Sequence, residues 1–450
     1  MTRKIRLKKG LDIPLPGKAE KIISAAAVPG LFAVKPVDFP GLVPKLDVRP
    51  GDSVKAGSPL FHDKIRPGIL YTSPVSGTVR SVERGDRRKI LEVIVEKSGD
   101  GHVDFGKADP ASLSAEKIKE KLLASGLWPA IRQRPYQVVA NPEDKPKAVF
   151  ISGFDTAPLA PDNYFIVENS DSSLFLAGIR AVAGLTEGKV HLVLDGQRKA
   201  PALLEDCPGV EVSYFSGPHP AGNVGIHIHH LDPVNKGEVV WFVNLQDIIA
   251  IGRLFAEGRY YPERIVALCG SEVIKPQYYR MLSGSSVKNI VKDNINTGKM
   301  RYISGNVLTG LKISEEGFLG YYDSQITVIP EGDHFELLGW AAPGIRKFSF
   351  HRAFLSNLLP QKSYNIDTNL HGGERAFVLT GKYEKVLPMD VYPMQLFKAI
   401  LAEDIELMEN LGLYEIAGED VALCEFICPS KIEIQSLVRK GLDMMMKEMS

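Results

Sequence analysis

Residues 47–64, DVRPGDSVKAGSPLFHDK, open a stretch that continues through SPVSGTVRSV at 73–82 and ILEVIVE at 90–96. Apolar and polar residues alternate in short runs, separated by Pro50-Gly51-Asp52, Ala56-Gly57-Ser58 and Ser76-Gly77. Alternation marks half-buried strands, and the Gly and Pro clusters supply turn conformations that other residues resist. Many short strands at close spacing predict a small all-β barrel or sandwich.

The spacing V-x-x-G-D-x-V-x-x-G-x-x-L from Val48 to Leu60, followed by P-x-x-G-x-V from Pro74 to Val79, resembles the barrel-sandwich fold of biotinyl and lipoyl carrier domains. Lys64 falls near the place where such a domain carries its modified lysine. A carrier lysine sits at an exposed hairpin tip in a short symmetric loop. Here the run from His62 to Gly68 is longer and more basic, which favours a plain surface lysine.

Upstream, residues 1–35 read as an irregular lead-in, because Pro14, Pro16 and Pro29 break any long helix. Downstream, Ser114 is placed to cap a helix that Gly126 ends. From there to about 257, apolar runs at 148–151, 190–194 and 239–243 alternate with helical patterns at 173–183 and 246–255. Strands alternating with helices imply a parallel sheet and a Rossmann-like domain. Residues 264–269 open a third, compact α+β unit running to about 330, and the remainder reads as helical, with stripes at 394–411 and 432–449. The methionines closing the last helix read as core or interface filler.

A chain of 450 residues is too long for one core. Its 54 basic and 54 acidic residues cancel, so nothing overall points to nucleic acid. Four cysteines, Cys207, Cys269, Cys424 and Cys428, are too sparse for a disulfide framework. The basic start has no apolar stretch behind it, unlike a signal peptide, and no window approaches the ~20 apolar residues that cross a bilayer. The expectation is a cytoplasmic chain that reaches membranes through partners. Arg3, Lys4, Arg6, Lys8 and Lys9 either meet anionic lipid or acidic surfaces or form a solvated tail.

Three patterns bear on chemistry. No G-x-G-x-x-G occurs, and Gly310 is not followed by the Lys-Ser/Thr of a P-loop, so the alternating domain lacks the usual phosphate grip. In GIHIHHLDP (225–233), His227 and His229 would share one face of a strand, with His230 and Asp232 close by and His219 upstream; such a pair can bind metal, though a hydrogen-bonded structural role is commoner. Cys424-x3-Cys428-Pro429 is the last half of a ferredoxin-type run, but its upstream positions are Gly418 and Val421, so two thiolates cannot close a four-ligand cluster.

Taken together and in order, the barrel-sandwich stretch, GIHIHHLDP, QDIIAIGRLF (246–255), ERIVAL (263–268) and the C-terminal C-x3-C-P closely resemble the A subunits of sodium-translocating NADH:ubiquinone reductases. More distant resemblances are the C subunit of Rnf-type complexes and the flavoprotein subunit of respiratory complex I. The resemblance implies an order of modules: a lead-in (1–35), a barrel-sandwich hybrid (36–100), a Rossmann-like domain with a degenerate flavin site (101–257), a ubiquitin-like SLBB-type module (258–330) and a helical domain with a vestigial iron-sulfur motif (331–450).

The wider relatives carry a glycine-rich flavin loop where this chain has SGLWPAIRQRP (125–135); Trp128, Ile131 and two prolines there obstruct close approach to a phosphate. Asp155, in ISGFDTAP (151–158), is a thin basis for a flavin site. The resemblance therefore implies a peripheral subunit on the cytoplasmic side of the bacterial inner membrane, without flavin, cluster or metal of its own. It would dock on membrane subunits of a complex that uses NADH and flavins elsewhere, and contribute to ubiquinone reduction or to assembly. Trp128, Arg132, Arg134 and Tyr136 are the candidate quinone contacts, because aromatic faces stack a quinone ring and Arg donors bind its carbonyl oxygens; packing of the loop is the competing account. A flavin- or cluster-binding electron-transfer protein, a covalent carrier and a ligand-free scaffold stay open as alternatives.

Overall fold

A computed structural model describes residues 3–448 except 335–338, 340–342, 353 and 360. The opening stretch folds as two small antiparallel sheets. One joins Leu31–Val34, Ile90–Lys97, Gly77–Arg84 and Ser53–Val54; the other joins Pro44–Leu46, Pro59–Asp63 and Leu70–Thr72. Their inward residues, among them Phe32, Leu60, Phe61, Val79, Val93 and Val95, are buried, and Phe61 stacks on Tyr71 at 4.9 Å.

The lead-in is not irregular. Arg3–Arg6 lies parallel to Glu211–Ser216, Glu20–Ser24 lies parallel to Gln277–Leu282, and Leu31–Val34 pairs with Ile90–Lys97. The first thirty-odd residues thus add one strand to each of three sheets. The prolines do prevent helix, but they fall in the connections, and each short strand is defined by a distant partner rather than by a local pattern.

The second domain is a seven-stranded sheet in the order Arg3–Arg6, Glu211–Ser216, Lys189–Asp195, Ala148–Ser152, Val240–Asn244, Ile131–Arg134 and Val138–Val139. The first five strands are parallel, and Ile131–Arg134 runs antiparallel beside Val240–Asn244. On one face Val149, Ile151, Trp241 and Val243 pack with Phe175, Ile179, Ile248 and Ile251 from the helices Ser172–Ala183 and Leu245–Glu257. Those helices cross closely: a Cβ at Gly178 would stand 1.9 Å from the Ile248 carbonyl oxygen, and one at Gly252 1.8 Å from that of Leu174. On the other face Phe150 and Phe242 meet Ile228 of the helix Val224–Leu231. The helix Ala115–Ser125 is capped by the Ser114 hydroxyl, which accepts from the Lys117 N–H, and ends at Gly126 with φ of 75°.

The third sheet contains Leu311–Ile313, Met300–Ser304, Gln325–Pro330, Glu263–Cys269, Gln277–Leu282 and Glu20–Ser24. Beyond it, the helices Pro393–Leu401, Ile405–Asn410, Ala422–Phe426 and Ile434–Glu448 close around Leu396, Ile400, Met408, Val438, Leu442 and Met445. The domain expected to be helical over 331–450 is helical only from Pro393, because the described residues from 331 up to it form no α-helix and only the single turns Leu355–Asn357 and Tyr383–Lys385. The stripe expected at 394–411 is two helices. Glu403 takes φ of 56° between them, and the Asp404 carboxylate caps the second by accepting from the Leu407 N–H at 3.0 Å. The last helix begins two residues later than expected, and Met449 lies outside the described residues.

Candidate functional site

In doubly wound sheets, ligands bind outside the carboxyl ends of the strands where the connections diverge. Here that point lies between Ala148–Ser152 and Val240–Asn244, since Lys189–Asp195 extends the sheet on one side and Ile131–Arg134 on the other. The turn after Ser152 is tied down from within. The Ser152 hydroxyl donates to the Phe154 and Gly222 carbonyls, and the Gly222 N–H donates to Thr156 Oγ1, which also meets His219 Nδ1 at 3.1 Å.

Beside this turn sits an acidic turn of the C-terminal domain, Gly418–Val421. The Glu419 carbonyl accepts from Asn223 Nδ2 at 3.0 Å. Asp420 packs against the first turn of the helix Val224–Leu231 so closely that a Cβ at Gly225 would be 2.5 Å from both carboxylate oxygens. A carboxylate is favoured at a helix N-terminus. Arg134 completes the arrangement, donating to Asp420 Oδ2 at 3.0 Å, to Glu419 Oε1 at 2.8 Å and to the Glu415 carbonyl at 3.2 Å. Asp420 also accepts from the Ala417 N–H, and burial pushes its carboxyl up to about 6 against the pull of the Arg134 guanidinium.

A flavin phosphate does not fit this arrangement. It would add negative charge beside Glu419 and Asp420, while the nearest cation is already shared between them. Sequence reasoning missed Glu419 and Asp420. The available signal was an acid pair inside an otherwise apolar helical run, since a buried carboxylate requires a cation or donor partner.

The four candidate quinone contacts do not converge on one open surface. Trp128 is fully buried, donates Nε1–H to the Ala140 carbonyl at 2.7 Å, and meets Trp241 edge-on at 5.4 Å. Arg134 is spent on the acidic turn. Arg132 is half-buried between the rings of Phe242 and Tyr322, at 4.5 and 4.2 Å, and donates to Asn244 Oδ1. Tyr136 is half-buried near Tyr414, and its carbonyl accepts from Arg439. A cavity lined by Lys35, Asp38, Tyr260 and Tyr321, between the barrel and the third module, measures about 10 Å³, room for one water and not for a quinone ring. A wider, open groove of about 610 Å³ runs past Arg6, Lys8, Asp12 and Gln197.

The histidines lie on a helix, not on a strand. In IHIHHL the alternation mimics a strand, but along a helix residues two apart point to opposite sides. His227 is buried beside the Phe154 and Phe215 rings and donates to the Ala221 carbonyl at 2.8 Å; His229 meets Glu415 at 2.5 Å; His230 reaches the Pro388 carbonyl. Asp232 pairs with Lys147. Among the described residues, no three His, Cys, Asp or Glu side chains are grouped to hold a metal. Burial lowers His219 to about 4 and His227 to about 3, so both are neutral at pH 7.

Cys424 and Cys428 are buried, with Cys428 Sγ 3.0 Å from the Tyr383 hydroxyl. Burial pushes the Cys424 thiol up, the reverse of the thiolate that ligates iron. Lys64 is exposed, but its loop is pinned: Asp63 accepts from the Ile65 N–H and from Arg66 Nε, and Arg66 donates on to the Val139 carbonyl of the second domain. That tether does not suit a swinging arm.

A barrel-sandwich module, a doubly wound α/β domain with an acidic turn of the C-terminal domain packed beside its strand ends, a mixed-sheet module and a set of C-terminal helices define a multidomain α/β protein whose parts are stitched by one N-terminal segment. Residues 5–98 match the NqrA N-terminal barrel-sandwich hybrid domain, 113–260 the NqrA second alpha/beta domain and 265–315 the NQRA C-terminal domain. The chain is 39% identical to the A subunit of the Na(+)-translocating NADH-quinone reductase of Rhodopirellula baltica over 98% of both chains. The corresponding chains of Neisseria meningitidis serogroup A and Vibrio anguillarum are 38% and 40% identical over 99% of this chain and the whole of theirs. The chain belongs to this family, the A subunits of Na(+)-translocating NADH-quinone reductases. A solved NAD+-reducing [NiFe]-hydrogenase aligns at a TM-score of 0.37 with 10% identity over 75% of this chain and 64% of that one, too slight a likeness to argue from.

Proposed function

We propose that the chain works as a peripheral subunit of a sodium-translocating NADH-quinone reductase. It docks on the membrane subunits from the cytoplasmic side and supports quinone reduction or assembly without a flavin or cluster of its own. The full-length match to the A subunits of such complexes carries the assignment. No helix among the described residues is long and apolar enough to cross a membrane, which fits a peripheral place. The acidic turn already paired with Arg134, and the burial that holds the Cys424 thiol protonated, support the part about cofactors.

In this reading NADH, flavins and the sodium path belong to other subunits, and residues 125–136 act as a joint between domains. Of the four candidate contacts, Arg132 and Tyr136 are the two a quinone could still reach. Reconstitution tests the proposal: the complex assembled without this chain loses sodium-dependent quinone reduction and regains it when the colourless purified chain is added back. Flavin absorbance in the purified chain would reverse the cofactor part, and undiminished activity without the chain would reverse the whole. A photoreactive quinone analogue that labels only peptides outside 131–137 would remove Arg132 and Tyr136 from consideration.

A further inference from the structure

Between residues 337 and 366 the sequence has no Asp or Glu, in a chain that carries 54 acidic and 54 basic residues overall. Within this acid-free run Arg346, Arg352 and Lys362 are exposed cations, while Lys347 is engaged with the Phe354 ring. The same run carries a concentration of exposed aliphatic surface: Leu358 is 74% exposed, Leu359 66%, Ile345 49% and Leu355 46%. Isolated exposed leucines are ordinary; a basic cluster of them is not.

These residues share one braced unit. The Leu355 N–H donates to the Pro343 carbonyl, Gln361 Nε2 to the Ile345 carbonyl, and the Tyr364 hydroxyl to the Ser356 carbonyl. The unit is anchored behind by the Tyr364 N–H on the Pro14 carbonyl, by His351 Nε2 on the Ile427 carbonyl at 3.1 Å and by Phe348 against Phe426. Its phenylalanines, Phe348, Phe350 and Phe354, are half-buried, so leucine and isoleucine lead the exposed apolar surface of its described residues.

We infer that this unit is a membrane-surface contact that takes anionic phospholipid, its leucines entering the interface and Arg346, Arg352 and Lys362 meeting the phosphates. Membrane attachment of this kind combines buried aliphatic area with attraction to anionic headgroups. A protein partner fits less well: energetic centres of protein interfaces favour Trp, Tyr and Arg and under-use Leu, whereas leucine leads the exposed apolar surface of this unit. The inference rests on the membrane-peripheral reading only for bringing the chain near a bilayer.

Flotation of the full chain with vesicles tests it without any other subunit, so failure here leaves the reconstitution result standing. The chain should float with phosphatidylglycerol-containing vesicles and not with pure phosphatidylcholine, and should release in high salt. Leu358→Ser with Leu359→Ser, and separately Arg346→Glu with Lys362→Glu, should each weaken binding at least about tenfold. Both pairs alter exposed side chains, and an unchanged melting temperature confirms that the fold is kept. Failure to float with either vesicle, or flotation indifferent to both pairs, overturns the inference. Binding seen only on membranes that carry the partner subunits assigns the surface to protein and overturns it equally.

Discussion

Arg134 and Arg264 are both buried arginines at domain joints, but their surroundings differ. Arg264 faces one carboxylate, Asp247, at 2.6 Å, and both side chains are 4% exposed. The pair sits among Tyr260 and Tyr321, and alongside it Gln246 donates to the Ile265 carbonyl and accepts its N–H. Arg134 faces two carboxylates, the buried Asp420 and Glu419, which is 27% exposed. One joint is closed, and Arg132 adds a second positive charge near its single carboxylate. The other carries excess negative charge and opens toward solvent. The closed joint fastens a helix to the strand that follows it, whereas the open one fastens the C-terminal domain across the crevice. The charge at the open joint comes from far along the chain, since Glu419 and Asp420 lie almost three hundred residues beyond Arg134.

The largest effect is expected where the charge is surplus. Arg134→Met leaves Asp420 buried beside Glu419 with no cation, a loss of about 3–5 kcal/mol. It should appear in denaturant unfolding as an early, separate transition of the C-terminal domain. A single transition, shifted by less than about 1 kcal/mol, would show that the acidic turn does not depend on Arg134. Arg264→Met should cost about 3 kcal/mol, and adding Asp247→Leu should recover most of it, because a closed pair can be exchanged for apolar packing. The corresponding double change, Arg134→Met with Asp420→Leu, should recover less, because the Ala417 N–H then loses its acceptor. Equal recovery at both joints would remove the distinction drawn between them.

His227 sharpens the comparison from the crevice side. Its folded pKa, about 3, lies below the ordinary 6.5 because burial disfavours the charged ring. As pH falls below 6.5 the unfolded chain takes up this proton first. The stability tied to the neutral ring is therefore whole above that pH and drains away toward pH 3. Relative to the parent, His227→Phe should look worst near pH 7.5, and the gap should close by about 1.4 kcal/mol per pH unit below 6.5. A gap independent of pH, measured by urea unfolding at several pH values, would mean that the ring is hydrated.

Much of this architecture was legible in the sequence, for identifiable reasons. The barrel strands, the 148–152 and 189–195 strands, and the helix between Ser114 and Gly126 announce themselves through local alternation, apolar runs and caps. What stayed hidden depended on distant partners. Arg3–Arg6 is a strand only because Glu211–Ser216 lies beside it, and Arg134 looks like an exposed loop cation until residue 420 arrives. The histidine run misled because HIHH satisfies a two-residue alternation as readily as a helical turn, and only the helix puts its rings on separate sides. The candidate site was therefore half visible: the scarcity of glycine at 125–135 could be read, but not the contact between Arg134 and the acidic turn.

Arg66 supplies the smallest expected effect and tests whether burial, rather than the mere presence of an arginine at a joint, sets the scale. Like Arg134 it bridges domains, linking the fully buried Asp63 of the barrel to the Val139 carbonyl of the second domain. Unlike Arg134, its side chain is 28% exposed. Water can enter the space left by Arg66→Met and solvate Asp63, whose other oxygen keeps the Ile65 N–H. The loss should be about 1 kcal/mol, in the range of partly exposed pairs. A cost near that of Arg134→Met in the same unfolding assay would show that water does not enter this gap, and that the tether to the second domain, rather than solvent access, governs the strength of the joint.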